Sequence, residues 1–206
     1  MGKYITKIET DFISKAIIIK QQNIIIMDVG AEAGRFSLLG ANRKATVISL
    51  DLDSYSLRRL KLKNKEANVI QADARKLPLK EGIFDLVFMI EVLDYIPELD
   101  AAFAECKRTL KPNASCVLSF GNRSSLKAKL KAMQGKPYRH SYKEVIQYLS
   151  QTGFSVRDKT GYSWMLFGRT SQSRLVPVSA AFERGLGLRR VVRFSPWVVV
   201  HVTKPI

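Results

Sequence analysis

The sequence predicts a single α/β domain on a doubly wound, mostly parallel sheet with helices on both faces. Three observations carry that expectation. Apolar runs of strand length recur, helical patterns lie between them, and the runs are apolar on both faces, as strands covered from each side should be. A length of 206 residues, 46% hydrophobic and 25% charged, suits one such domain and is short for two.

In chain order, the first strand covers 23–29 (NIIIMDV) and runs straight into Gly30. A second, ATVISL at 45–50, leads into Asp51, and a third, NVIQ at 68–71, precedes Ala72-Asp73-Ala74. The fourth is FDLVFMI at 84–90, ending on Ile90, and the fifth is ASCVLSF at 114–120. Between these two, Leu99, Ala102, Phe103, Cys106 and Leu110 share one face of a helix over 98–110, which Pro112 stops. Ser141 and Glu144 have capping-box spacing for a helix that buries Val145, Ile146 and Leu149 and ends at Gly153. A sixth strand follows at about 154–158. The segment 161–195 carries an apolar stripe through Leu175, Val178, Ala181, Phe182 and Leu186, and reads as a basic, substrate-facing insertion. A seventh strand at 197–202 is entered through Ser195-Pro196. No repeat or low-complexity linker divides the chain, so residues 1–206 read as one domain.

No stretch approaches the roughly eighteen uninterrupted apolar residues of a membrane span. Glu9 and Asp11 interrupt any secretory-signal pattern, and a cytoplasmic location is the default expectation. Cys106 and Cys116 have neither metal-ligand nor disulfide-framework spacing, so both are expected as small buried hydrophobes and no metal is expected. The net charge of +16 is lopsided. Residues 1–120 hold 18 basic against 15 acidic side chains, whereas 121–206 hold 16 against 3. The second half is expected to face something anionic.

The sharpest chemical feature is Ile26-Met27-Asp28-Val29-Gly30-Ala31-Glu32-Ala33-Gly34-Arg35-Phe36, a strand, a glycine-containing loop and a helix. Doubly wound sheets bind nucleotides at such a turn. The dinucleotide fingerprint G-x-G-x-x-G delivers a pyrophosphate to a helix N-terminus, but here the glycines are spaced G-x-x-x-G and flanked by Asp28 and Glu32. Two carboxylates repel a pyrophosphate. They tolerate or favour S-adenosylmethionine, which has no phosphate and carries an ammonium and a sulfonium.

These residues resemble the class I methyltransferases, in particular the broad UbiE-like group that includes ubiquinone and menaquinone biosynthesis enzymes, over roughly residues 24–158. The resemblance implies a Rossmann-like sheet of seven strands with the last antiparallel. It implies S-adenosylmethionine as cofactor, with Gly30, Ala31 and Gly34 forming the loop. Asp51 matches the acid that pairs with the ribose hydroxyls, Leu52 would lie on the adenine face, and Asp73, followed by Ala74, matches the acceptor of the adenine amino hydrogens. Phe84-Asp85-Leu86-Val87 and Leu110-Lys111-Pro112-Asn113 resemble the family's fourth-strand entry and the turn before its fifth. Where the family usually has a third glycine, this chain has Glu32, and the loop must fold without it.

Methyl transfer from a sulfonium relies on proximity and orientation, and a base is needed only if the acceptor must lose a proton. Candidates are Glu91 and Asp94 after the fourth strand, and His140 in Tyr138-Arg139-His140. The Asn/Asp-Pro-Pro-aromatic stretch of base-amine methylation is absent from Ile90-Glu91-Val92-Leu93-Asp94-Tyr95. The resemblance points to a small molecule. Arg169, Arg174, Arg184, Arg189, Arg190 and Arg193, set among Trp164, Phe167, Leu175, Leu186 and Leu188, suit an anionic or lipid-linked acceptor and peripheral membrane contact. The same mixture suits RNA, which leaves a tRNA or RNA methyltransferase as one alternative and a non-catalytic binding module as another.

Overall fold

The computed structural model describes residues 2–18, 23–133, 138–164, 171, 173 and 175–206. Phe167, Arg169 and Arg174 of the basic segment lie outside them.

The chain begins with helix α1 (Gly2–Ile18), followed by β1 (Ile25–Val29), α2 (Arg35–Ala41), β2 (Thr46–Asp51), α3 (Ser54–Lys63) and β3 (Asn68–Gln71). Then come β4 (Phe84–Ile90), α4 (Leu99–Thr109), β5 (Leu110–Gly121), α5 (Leu126–Met133) and α6 (Tyr142–Gln151). β6 (Ser155–Tyr162), α7 (Val176–Gly185) and β7 (Trp197–Thr203) complete the fold. The seven strands form one sheet in the order β3-β2-β1-β4-β5-β7-β6. β7 runs antiparallel to both its neighbours, and the other pairings are parallel. The expected sheet and its reversed last strand are both present.

Each strand sends alternate side chains to opposite faces. On one face Met27, Val87, Met89, Cys116 and Leu118 pack against Leu99, Phe103 and Cys106 of α4 and Val145 and Leu149 of α6. On the other, Ile26, Leu86, Phe88, Val117 and Val199 meet α1, Phe36 of α2, Ala128 of α5 and Val176 of α7. Both cysteines are buried. The Cys116 thiol is pushed up by its Cys106 neighbour and by burial.

Three elements differ from the sequence expectation. Helix α1 was not foreseen; Ile5, Ile8, Phe12, Ile13 and Ala16 bury one side of it, and Glu9 lies among them fully buried. β5 starts at Leu110 rather than 114, because Phe84 pairs with Leu110 before the register shifts. Asn113 sits in that irregularity with φ +59, and its amide donates to Lys204 O at 2.9 Å. Pro112 is tolerated there because a bulge leaves an amide unpaired anyway. The third difference is β6, which runs on to Tyr162 rather than ending at about 158. Helix α7 lies in the segment read as a substrate-facing insertion. Val176, Ser179, Ala180 and Glu183 are buried, while Leu175, Val178, Ala181, Phe182 and Leu186 face outward. The apolar stripe read from the sequence is the helix's exposed side.

The capping box is present: Glu144 N donates to Ser141 Oγ at 3.3 Å, and Ser141 N to Glu144 Oε2 at 2.7 Å. Gly153 follows α6 with φ +81. Lys111 Nζ pairs with Asp85 at 2.9 Å, joining the entries of β4 and β5.

Candidate active site

The sheet's winding reverses between β1 and β4, and the carboxyl ends of these strands open a crevice where such sheets place ligands. Asp28, next to last in β1, is buried there and accepts from Ser37 Oγ at 2.6 Å, which in turn accepts from Ser49 Oγ at 2.8 Å. Burial pushes its carboxyl up to about 6, with the Ser37 hydrogen bonds opposing. Gly30 (φ +72) and Ala31 both donate their amides to Leu50 O, at 2.8 and 2.9 Å. A Cβ on Gly30 would stand 2.5 Å from Val92 Cγ2. Only glycine suits that backbone and that approach.

The loop forms without the family's third glycine because Glu32 adopts the left-handed conformation itself, with φ +47. Asp51 Oδ2 holds the Glu32 amide at 2.8 Å, and Asp51 Oδ1 accepts from Asp53 N at 2.9 Å. The carboxylate ending β2 thereby braces the loop after β1. Gly34 (φ +82) closes the turn, where a Cβ would stand 2.2 Å from Leu60 Cδ1, so close helix packing excludes a side chain.

Asp73 is engaged by Arg75: Nη2 to Oδ2 is 2.6 Å and Nε to Oδ1 is 3.0 Å. These hydrogen bonds hold its carboxyl below the usual range. Arg75 also pairs with Glu98 at 2.5 Å. Leu52 is 66% exposed at the rim. A leucine in that position is dehydrated only by something lying on it.

These residues line a cavity of about 970 Å³, within the size range of small-ligand sites. The structure brings Asp28, Gly30, Ala31, Glu32, Asp51, Leu52, Asp73, Ala74 and Ile90 onto its wall, but not Gly34. Six carboxylates (Asp28, Glu32, Asp51, Asp53, Asp73 and Glu91) face it with two guanidiniums, Arg35 and Arg75. The excess of acid fits a cationic ligand and disfavours a pyrophosphate.

Of the three base candidates, only Glu91 lines the cavity. It follows β4 with φ +59, its amide donating to Ser119 O at 3.0 Å and Ser119 Oγ at 3.1 Å. Asp94 instead accepts from Arg139 N at 3.0 Å, and His140 Nε2 lies 2.9 Å from Ile96 O. Both tie the 138–140 stretch to the loop after β4.

Sequence reading missed a buried cluster behind Glu91. Glu9 Oε1 accepts from Ser119 Oγ and Tyr162 OH, each at 2.9 Å. Arg35 Nη2 lies 3.1 Å from Glu91 Oε1 and 3.5 Å from Glu9 Oε2. A signal was available: Glu9 interrupts the apolar face Ile5, Ile8, Phe12, Ile13 at helical spacing, which no solvated glutamate needs to do.

Residues 27–118 match the methyltransferase domain family. The chain is 35% identical over 115 residues to malonyl-[acyl-carrier protein] O-methyltransferase of Geobacter sulfurreducens, covering 52% of this chain and 43% of that one. It is 29% identical over 159 residues to ubiquinone biosynthesis O-methyltransferase of Pseudomonas fluorescens, 68% of each chain. Its fold superposes on a SAM-dependent methyltransferase from Methanosarcina mazei with TM-score 0.69 at 16% identity, covering 91% of this chain and 95% of the other. The sheet order and these likenesses give the chain the fold of S-adenosylmethionine-dependent methyltransferases, with residues 27–118 matching a methyltransferase domain. The chain spans less than half the length of the Geobacter relative.

Proposed function

We propose that this chain transfers a methyl group from S-adenosylmethionine to a small acceptor of apolar or lipid-linked character. The observation that carries the reading is the division of the cavity wall. Asp28, Glu32, Asp51, Asp53 and Asp73 line it from β1, β2, β3 and the loops after them, while Ile90, Val92 and Ile96 line it at and after β4 beside Glu91, with Phe36 of α2 and the exposed Tyr95. The two relatives, one named for ubiquinone biosynthesis and one for malonyl-[acyl-carrier protein], support an acceptor that is not a nucleic acid.

The cofactor, when bound, supplies an electrophilic methyl carbon next to a sulfonium. Asp51 would hold the ribose hydroxyls, Leu52 would cover the adenine, and Asp73 would accept from its amino group. Gly30, Ala31 and Gly34 keep the backbone close, and Asp28 and Glu32 place negative charge near the ammonium and sulfonium. Where the acceptor carries an acidic proton, Glu91 takes it, because it alone of Glu91, Asp94 and His140 faces the cavity. Arg35 fixes the direction of that carboxylate.

Incubating the protein with methyl-labelled S-adenosylmethionine and separate lipid, small-molecule and RNA fractions tests the reading. Label is expected in the lipid or small-molecule fraction. RNA is the second reading, favoured by the basic excess of residues 121–206, and label confined to RNA would replace the first. No cofactor binding by calorimetry, with no label anywhere, would identify a non-catalytic module. Glu91→Gln is expected to lower turnover about 100-fold with cofactor affinity unchanged.

A further inference from the structure

Helix α7 is turned the opposite way from what its composition suggests, and its buried side explains why. Glu183 is fully buried, accepting from Tyr4 of α1 and, at 2.7 Å, from Trp164 N. Rolling the helix to hide its apolar stripe would strip both partners from that carboxylate and carry it to the surface. The orientation is therefore pinned. Leu175, Val178, Phe182 and Leu186, spaced three and four residues apart, are held outward and are each more than half exposed. Just beyond, Phe194 is 52% exposed beside Arg193.

Within residues 161–206 the exposed charge has one sign. Glu183 is the only acid in residues 161–206, and it is the buried one. Arg184, Arg190 and Arg193 are exposed. Helix α5 packs on the same sheet face through Ala128 and likewise turns Leu126, Leu130 and Met133 outward beside exposed Lys129. Residues 121–133 contain no acid at all.

We propose that the outward side of α7 and the turn through Phe194 form a docking face for an anionic lipid bilayer. A row of aliphatic and aromatic side chains edged by arginines suits the headgroup boundary, where the apolar groups enter and the guanidiniums meet phosphate. RNA would use the arginines but leave Leu175, Val178 and Leu186 in water. The proposal rests on the lipid-linked acceptor reading only for its purpose, since binding to a bilayer is measured without cofactor or acceptor.

The test is co-sedimentation of the full chain with vesicles of phosphatidylcholine, alone or mixed with phosphatidylglycerol. Binding is expected to the mixed vesicles only and to fall as salt is raised. Phe182→Ser with Leu186→Ser should weaken it roughly tenfold or more, with the thermal melt unchanged because both side chains are exposed. Arg190→Glu with Arg193→Glu should remove the preference for phosphatidylglycerol. The proposal is overturned if the wild-type chain ignores anionic vesicles, or if the Phe182→Ser, Leu186→Ser variant binds them as well as wild type. It is equally overturned if that variant converts a dimer to a monomer while leaving vesicle binding intact, which would make the face a contact between copies.

Discussion

The Tyr162 hydroxyl donates to Glu9 Oε1 at 2.9 Å, joining the end of β6 to α1 across 153 residues of sequence. Tyr162 is fully buried, and its pKa is driven well above the ordinary value by burial and by the Glu9 charge, so it stays a donor at any working pH. Glu9→Ala leaves that hydroxyl and Ser119 Oγ without their acceptor, at about 1–3 kcal/mol for each stranded group. The expected loss in urea unfolding is roughly 3–5 kcal/mol. Glu9→Gln keeps one acceptor oxygen and should lose clearly less; equal losses would show that Glu9 acts by charge alone.

Asp28 is expected to make cofactor binding depend on pH. Its folded pKa, raised to about 6 from 3.8, means the buried carboxyl favours its proton. Its contribution to stability is full below the unfolded value and is lost as pH rises through about 6, on the order of 2–3 kcal/mol in all. A cationic ligand favours the ionised form, so calorimetry should show S-adenosylmethionine binding weaken as pH falls below about 6. Asp28→Asn should flatten both dependences. An unaltered pH profile in that variant would assign the titration elsewhere.

Asp51 is expected to matter twice. Asp51→Ala removes the acceptor for the Glu32 and Asp53 amides as well as the proposed ribose contact. At roughly 1.5–3 kcal/mol per charge-assisted bond, the cofactor dissociation constant should rise at least about tenfold. An unchanged constant would remove Asp51 from the site.

Glu32→Gly should relieve the strain of a left-handed side-chain-bearing residue, about 1–2 kcal/mol, against a glycine entropy cost of about 0.5–1. The net expectation is a melting temperature raised by a few degrees or less. A fall of several degrees would mean that the Glu32 carboxylate itself stabilises the loop.

Much of this arrangement was legible in the sequence because it is local. The strand-loop-helix around Gly30 and Gly34, the acid ending β2 and Asp73 after β3 follow from apolar runs and turn residues within short windows. What was not legible depends on partners far away. Glu9 is buried because Ser119 and Tyr162 come to it from β5 and β6, which no window contains. Apolar residues occur on both sides of α7, Val176 and Ala180 against Val178 and Phe182, and the choice between them is made by Glu183, the residue that hydrophobicity alone assigns to water. Asp94 and His140 had the right chemistry for catalysis, yet the chain spends them on holding a loop.

The placement of β7 between β5 and β6 also orders events on the ribosome. β6 is synthesised before β7 but can join the sheet only through it. Until about forty residues after Tyr162 have emerged, Phe120 and its neighbours on β5 present an open hydrogen-bonding edge, the kind of surface that nascent chains lose to aggregation. The half of the sheet that holds the acid-lined cavity is complete by then, so chaperone dependence should concentrate on the other half.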